Sequence, residues 1–294
     1  MWRRLMSTIS ENKDGTFWQF DIFYWQFDMA IVMVTKHTFL RQDECGSIIK
    51  QVWNTNMNIY YYLLKLILRI YVTVCIHSVK VFGQENLIPG PKIVVANHPN
   101  ATDGFVLPFI LPEKLHFLIQ ANMFSLPVIG FLLKKSGQIP VVKSQGRAAL
   151  ETALERLSKG NTVVIFPEGK LNHGKKFHRA GSGAALLAKK SGAPIVPIGF
   201  YVPAQDTIIL KGKIQNRNTF ANWQVSGCCY VNVGKPWSIT ITAEDDLSQF
   251  KLRTITNRMM AQIVDLVQQS IDEANRDKGK SSSSLVTTSP PSSG

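Results

Sequence analysis

From residue 79 to residue 200, short apolar runs alternate with segments of helical period, and this alternation constrains the fold more than any other feature of the chain. Residues 79–82, 93–96, 115–120, 138–142, 162–166 and 195–200 read as strands, rich in β-branched and aromatic side chains and bounded by Gly, Pro or polar turns. Between them, 104–111, 126–133, 146–159 and 183–190 read as helices. In the third of these Ala149, Leu150, Ala153, Leu154 and Leu157 keep the helical period, and Gly160 ends it. Strands separated by helices of this length predict an α/β fold, a largely parallel central sheet flanked by helices. Ligands of such sheets bind beyond the carboxyl ends of the strands, where two polar stretches emerge, 97–103 and 167–170. Residues 207–233 read as more β-like, with a turn-rich 215–222. A long helix is expected over 242–274, opened by a capping box from Thr242 to Asp245.

The first polar stretch, Asn97-His98-Pro99-Asn100-Ala101-Thr102-Asp103, places an imidazole at a strand end and a carboxylate five residues on. In an extended chain the two would be more than about 10 Å apart. A loop curling into a helix start brings them within hydrogen-bond reach. The carboxylate then fixes the imidazole tautomer and stabilises the imidazolium formed when a proton is taken. Glu168, in the second polar stretch, reads by itself as a helix N-terminal carboxylate satisfying free backbone N–H groups.

The formal net charge is +13, and residues 1–56 hold six basic and six acidic side chains, so the excess lies in 57–294. Hydrophobic residues make up 45% of the chain and charged ones 18%. A basic, apolar domain suits anionic headgroups or phosphorylated small molecules. The basic residues are scattered and no recognition module is visible, so nucleic acid is not expected as a partner. Cys45, Cys75, Cys228 and Cys229 lack metal or disulfide spacing and read as reduced thiols facing the cytosol. No metal or bound cofactor is expected. Gly169-Lys170-Leu171-Asn172-His173-Gly174-Lys175-Lys176 matches a phosphate loop up to its last position, where Lys176 replaces the magnesium-holding hydroxyl. No Gly-x-Ser-x-Gly occurs, which argues against an α/β-hydrolase.

Residues 17–34 are apolar but carry Asp21 and Asp28, costly in mid-bilayer, and they repeat Trp-Gln-Phe-Asp at seven-residue spacing. Residues 59–76 are the better membrane element. Lys65 and Arg69 are four apart on one face, and Tyr60, Tyr61, Tyr62 and Tyr71 flank an aliphatic body. That pattern fits a helix lying in the interface with its cations snorkelling, or an amphipathic helix packed on the domain. The chain thus divides into an unassigned extension (1–56), an amphipathic helix (57–78), a main domain (79–275) and a Ser/Pro-rich disordered tail (276–294). For 1–56 two readings stand, a start at Met57 or a lineage-specific addition.

Four stretches fall in a fixed order: Asn97-His98-x4-Asp103, Gly137-Gln138-Ile139-Pro140-Val141-Val142-Lys143, Phe166-Pro167-Glu168-Gly169 and Pro194-Ile195-Val196-Pro197-Ile198. Together they resemble the glycerolipid acyltransferase family over about residues 59–275. The resemblance implies transfer of an acyl group from a thioester of coenzyme A or acyl carrier protein to the hydroxyl of a lysolipid. The acceptor expected is 1-acylglycerol-3-phosphate, on a peripheral or monotopic protein at the cytosolic membrane face. It further implies that His98 is the general base and Asp103 its orienting partner, that Glu168 and Gly169 help bind the acceptor, and that a cation at 143 meets its phosphate, with Lys170 close by. Two positions depart from the pattern: Lys143 stands where Arg is usual, and Lys170-Leu171 replaces Thr/Ser-Arg. A different lysolipid acceptor, or a non-catalytic lipid-binding relative, are therefore the competing expectations.

Overall fold

A computed structural model describes residues 58–143, 145–214, 217–239 and 249–286. The aspartates and aromatic repeat expected within 17–34, the extension as a whole, Cys45 and the capping box at Thr242 lie outside the described residues. Among the described residues these strands and α-helices follow one another: α1 (Ile59–Cys75), β1 (Ser78–Phe82), β2 (Ile93–Ala96), α2 (Asp103–Ile110), β3 (Leu115–Gln120), α3 (Pro127–Lys135), β4 (Ile139–Val141), α4 (Gly146–Ser158), β5 (Thr162–Ile165), α5 (Gly183–Ser191), β6 (Ile195–Tyr201), β7 (Thr207–Ile214), β8 (Arg217–Gln224), β9 (Cys228–Val233) and α6 (Gln249–Val286).

The seven-stranded sheet has the order β1-β9-β6-β2-β5-β3-β4. Its pairings are parallel except β6–β9, which is antiparallel. The alternation read from the sequence thus gives the α/β class expected of it. β2 and β5 are buried along their whole length, as strands covered on both faces must be. Successive side chains then separate into two cores. Val94, Ala96, Val164, Val196 and Ile198 pack with Val72, Val106 and Leu107, from α1 and α2. Ile93, Val95, Val163 and Ile165 pack with Ala153, Leu157, Leu187, Met259 and Ile263, from α4, α5 and α6. α6 lies very close to β6: a Cβ on Gly199 would stand 2.5 Å from backbone atoms of Leu266 and Val267. Only a hydrogen fits there, so this glycine sets the spacing of helix and sheet.

Three local expectations are corrected. The turn-rich reading of 215–222 gives way to β8, whose Arg217–Gln224 pairs with Thr207–Ile214 from Ile214↔Arg217 to Thr207↔Gln224. Cross-strand pairing overrides the turn preference of its asparagines. The Ser/Pro-rich tail was expected to be disordered from 276, yet α6 runs on to Val286. The helix is held past Ala274 because Asp277 accepts a hydrogen bond from Tyr230 Oη at 2.9 Å and pairs with Lys80. Extending a nucleated helix then costs little per residue.

The third concerns α1. Its cations do not snorkel outward. Lys65 Nζ donates to the carbonyls of Leu111 (3.5 Å) and Pro112 (3.2 Å), and Arg69 lies 5.7 Å over the Phe109 ring. Burial, followed by the neighbouring Arg69 charge, holds the Lys65 ammonium below its ordinary pKa. The stripe turned outward is apolar instead: Ile59, Tyr62, Leu63, Leu66, Ile70 and Val74 are all exposed. Helical period locates two stripes on a helix but does not say which one meets the body.

Candidate active site

The site grows from the ends of β2 and β5. Val95 pairs with Ile165, so the next residues, Ala96 and Phe166, lie side by side as the two strands finish. Continuing the alternation, Ala96, His98 and Phe166 fall on one face, and the His98 ring stacks on Phe166 with centroids 4.0 Å apart and planes 12° off parallel. Residues 99–102 then turn, and Asp103 opens α2.

This turn closes the five-residue gap. His98 Nδ1 lies 3.1 Å from Asp103 Oδ2, which also accepts the Asn100 backbone N–H at 2.7 Å. Asp103 is buried whereas the His98 side chain is 20% exposed. Burial pushes the Asp103 carboxyl above its ordinary range, against the lowering effect of its hydrogen bonds from His98 and Asn100. With Nδ1–H donating to the carboxylate, the lone pair sits on Nε2, for which the described residues supply no partner. A basic nitrogen, oriented by an anion and partly open, is what proton abstraction from a hydroxyl requires.

His98 is also held by its own peptide, a feature that sequence reasoning missed. Its N–H donates to Glu168 Oε1 (3.4 Å) and its carbonyl accepts the Asn172 N–H (2.9 Å). The Asn172 side chain ties the clamp together, donating from Nδ2 to Glu168 Oε1 at 2.8 Å and accepting the Gly174 N–H at 2.9 Å. Glu168 Oε2 takes the His178 N–H at 2.8 Å. Both oxygens of the buried Glu168 are thus engaged by the protein, so this carboxylate joins the 97–103 loop to the 166–178 loop. Asn97 acts similarly on the other side. Its side chain exchanges two hydrogen bonds with Phe200 of β6, at 2.7 and 2.8 Å, replacing ladder bonds where β2 parts from β6. An asparagine at a strand end, and another four residues after a buried carboxylate, were the signals available for these roles.

The other expected residues lie at the same sheet end. Gly169 is exposed at φ +66°, and its carbonyl accepts from Gln120 at the end of β3 (3.0 Å). Gln120 in turn pairs with Val141, two residues before Lys143. Lys143 and Lys170 are both exposed. The structure therefore joins His98, Asp103 and Glu168 directly, and leaves the two lysines at the rim.

Removal of the Asn172 side chain tests the clamp. Asn172→Ala strips a partner from Glu168 and from Gly174 while leaving the Nδ1–Asp103 contact in place. We expect kcat to fall by roughly 10–100-fold with KM nearly unchanged, the pattern of a misplaced base. Steady-state kinetics on the purified variant check this, and an unaltered kcat would show that the clamp does not position His98.

Comparison with known proteins bears on the family and the fold. A family model described as Acyltransferase matches residues 78–201. The 1-acyl-sn-glycerol-3-phosphate acyltransferase of Bacillus subtilis is 31% identical over 143 residues, covering 47% of this chain and 70% of that protein. The enzyme of the same name from Saccharomyces cerevisiae is 28% identical over 198 residues, covering 65% of this chain. The chain spans 59% of that yeast relative's length. The crystal structure of the 1-acyl-sn-glycerophosphate acyltransferase PlsC from Thermotoga maritima shares the fold, with a TM-score of 0.50 at 20% identity over 82% of this chain and 89% of that one. The chain belongs to the glycerolipid acyltransferase family.

Proposed function

We propose that the protein transfers a fatty acyl group from an acyl-thioester to the free hydroxyl of a lysophospholipid, with 1-acylglycerol-3-phosphate as acceptor and phosphatidic acid as product. The observation that carries this reading is the His98–Asp103 pair, 3.1 Å apart at the strand ends of a family member. His98 Nε2 takes the proton as the acceptor oxygen attacks the thioester carbonyl. The tetrahedral intermediate then expels the thiolate, which recovers a proton from the imidazolium, and no acyl-enzyme is needed. Positioned base catalysis of this kind contributes about 10²–10⁴-fold. A thioester is already activated, so the reading calls for no metal and no bound cofactor. The donor thiol is that of coenzyme A or acyl carrier protein, and Lys143 and Lys170 at the rim suit the acceptor's phosphate.

The reading places the protein on a membrane surface, at the cytosolic face. The outward apolar stripe of α1 supports it, together with exposed Val128, Ile129 and Phe131 on α3, where the Tyr60 and Phe131 rings meet edge to face at 5.6 Å. Lys134 and Lys135 border this patch and suit anionic headgroups. Among the described residues no helix is long and apolar enough to cross a membrane. Cys75, Cys228 and Cys229 are free thiols, in keeping with a reducing compartment.

The test is an assay of the purified protein in mixed micelles with acyl-CoA or acyl carrier protein thioesters and a panel of lysolipids. Transfer to 1-acylglycerol-3-phosphate above the other acceptors is expected. A preference for another headgroup would reassign the acceptor, as the departures at Lys143 and Leu171 allow. Binding without transfer to any acceptor would leave the non-catalytic reading in its place.

A further inference from the structure

The β7–β8 hairpin stands outside the main sheet as its own two-stranded ribbon. Such a ribbon is marginally stable in water without something to pack on. β7 is nevertheless apolar and open, with Ile208 44%, Ile209 62% and Leu210 47% exposed, and Phe220 of β8 is 60% exposed. Because side chains alternate, Ile208 and Leu210 share one face, while Ile209 shares the other with Phe220, which pairs with Lys211. Phe220 stacks one side of its ring on His173, with centroids 4.9 Å apart, and is still 60% exposed. Apolar groups thus project from both faces, and a single helix or sheet laid on one side would leave the others uncovered. Lys211 and Lys213 lie on the Ile209 face and are exposed.

The base of the ribbon, in contrast, is firmly fastened. Tyr71 Oη of α1 donates to the Gln224 carbonyl at 2.5 Å, and the Trp223 ring meets Tyr71 and Phe105 edge-on at 6.1 and 5.9 Å. The Ala101 N–H donates to the Asn222 carbonyl at 2.8 Å, and the Gln224 N–H to Thr102 Oγ1 at 3.4 Å. The ribbon is therefore rooted in the helix that carries the outward apolar stripe and in the turn that carries Asp103.

We propose that this hairpin is a second membrane-docking element, inserting into the interface of an anionic phospholipid bilayer beside α1. A bilayer interface wets both faces of a ribbon at once. It accepts aliphatic and aromatic side chains below the headgroups and lysines among them. A second copy of the chain would bring equal lysine charges together, which disfavours it as the occupant. The inference deepens the membrane-surface reading and rests on it.

The experiment is sedimentation of the full chain with vesicles of phosphatidylcholine alone or with phosphatidylglycerol added. Two variants are compared with wild type, Ile209→Ser/Leu210→Ser and Lys211→Gln/Lys213→Gln, each checked for an unchanged circular dichroism spectrum and thermal midpoint. The apolar double variant should lower partitioning onto anionic vesicles by at least about tenfold. It should also keep wild-type turnover on a short-chain acceptor dissolved in water. The lysine variant should weaken the preference for anionic over neutral vesicles by roughly tenfold, the remainder being carried by Lys134 and Lys135. Wild-type partitioning by both variants would overturn the hairpin proposal alone. Failure of the wild-type chain to bind either vesicle would overturn it together with the membrane reading. A wild-type dimer in lipid-free buffer that Ile209→Ser/Leu210→Ser dissociates, with vesicle binding unchanged, would assign the surface to a second copy instead.

Discussion

His98→Ala should lower acyl transfer by about 10³-fold or more while leaving the fold in place. The magnitude follows from what the ring does. A lysolipid hydroxyl ionises far above neutral pH, and a positioned base is worth about 10²–10⁴-fold. The truncated variant also leaves the buried Asp103 carboxylate without its imidazole donor. The stability side is moderate: the lost hydrogen bond to the carboxylate costs about 1.5–3 kcal/mol, and the lost stack adds to it. The ring is 20% exposed and its stack on Phe166, at 4.0 Å between centroids, is worth about 0.5–1.5 kcal/mol. Rates on purified protein, beside a thermal melt, separate the two effects. Near-normal turnover by the variant would remove His98 from the chemistry.

Asp103→Asn should be almost as severe for catalysis and harmless, or even favourable, for stability. The carboxylate lies 3.1 Å from Nδ1, and an imidazolium at that distance gains at most about 5 kcal/mol at an effective dielectric of 20. Removing the charge is therefore expected to cost on the order of 10²–10⁴-fold in kcat. In one of its two amide orientations the asparagine also presents N–H to Nδ1 and selects the wrong tautomer. Stability moves the other way. Burial raises the pKa of Asp103, so its ionised form is disfavoured in the folded state. That cost is absent below the unfolded carboxyl value of about 3.9 and develops as pH rises through the folded value. At pH 7 the neutral amide escapes it. Denaturant midpoints of wild type and variant at pH 7 should coincide or favour the variant. A large loss of stability with intact turnover would refute both halves of the argument.

The sequence reveals much of what local physics decides. β2 and β5 are pure β-branched and aliphatic runs, α4 keeps its period up to Gly160, and the turn between His98 and Asp103 follows from a strand end meeting a helix start. What stayed hidden depends on tertiary partners. The resemblance implies a place for Glu168 in acceptor binding, yet its oxygens turn inward to His98, Asn172 and His178, contacts separated by up to 70 residues in the chain. Lys65 and Arg69 define a polar stripe, but only the carbonyls of Leu111 and Pro112 and the ring of Phe109 decide that it faces the body. α6 outlasts its composition because Tyr230 and Lys80, far away in sequence, reach Asp277.

The inverted polarity of α1, cations inward and aliphatic side chains outward, bears on how the proposed reaction would be measured. A catalyst held at a lipid surface samples its acceptor in two dimensions. Its rate then follows the mole fraction of lysolipid in the surface and is insensitive to bulk molarity. Diluting the surface with inert lipid would slow turnover at constant total substrate, and the Michaelis constant would be expressed as a mole fraction of the surface.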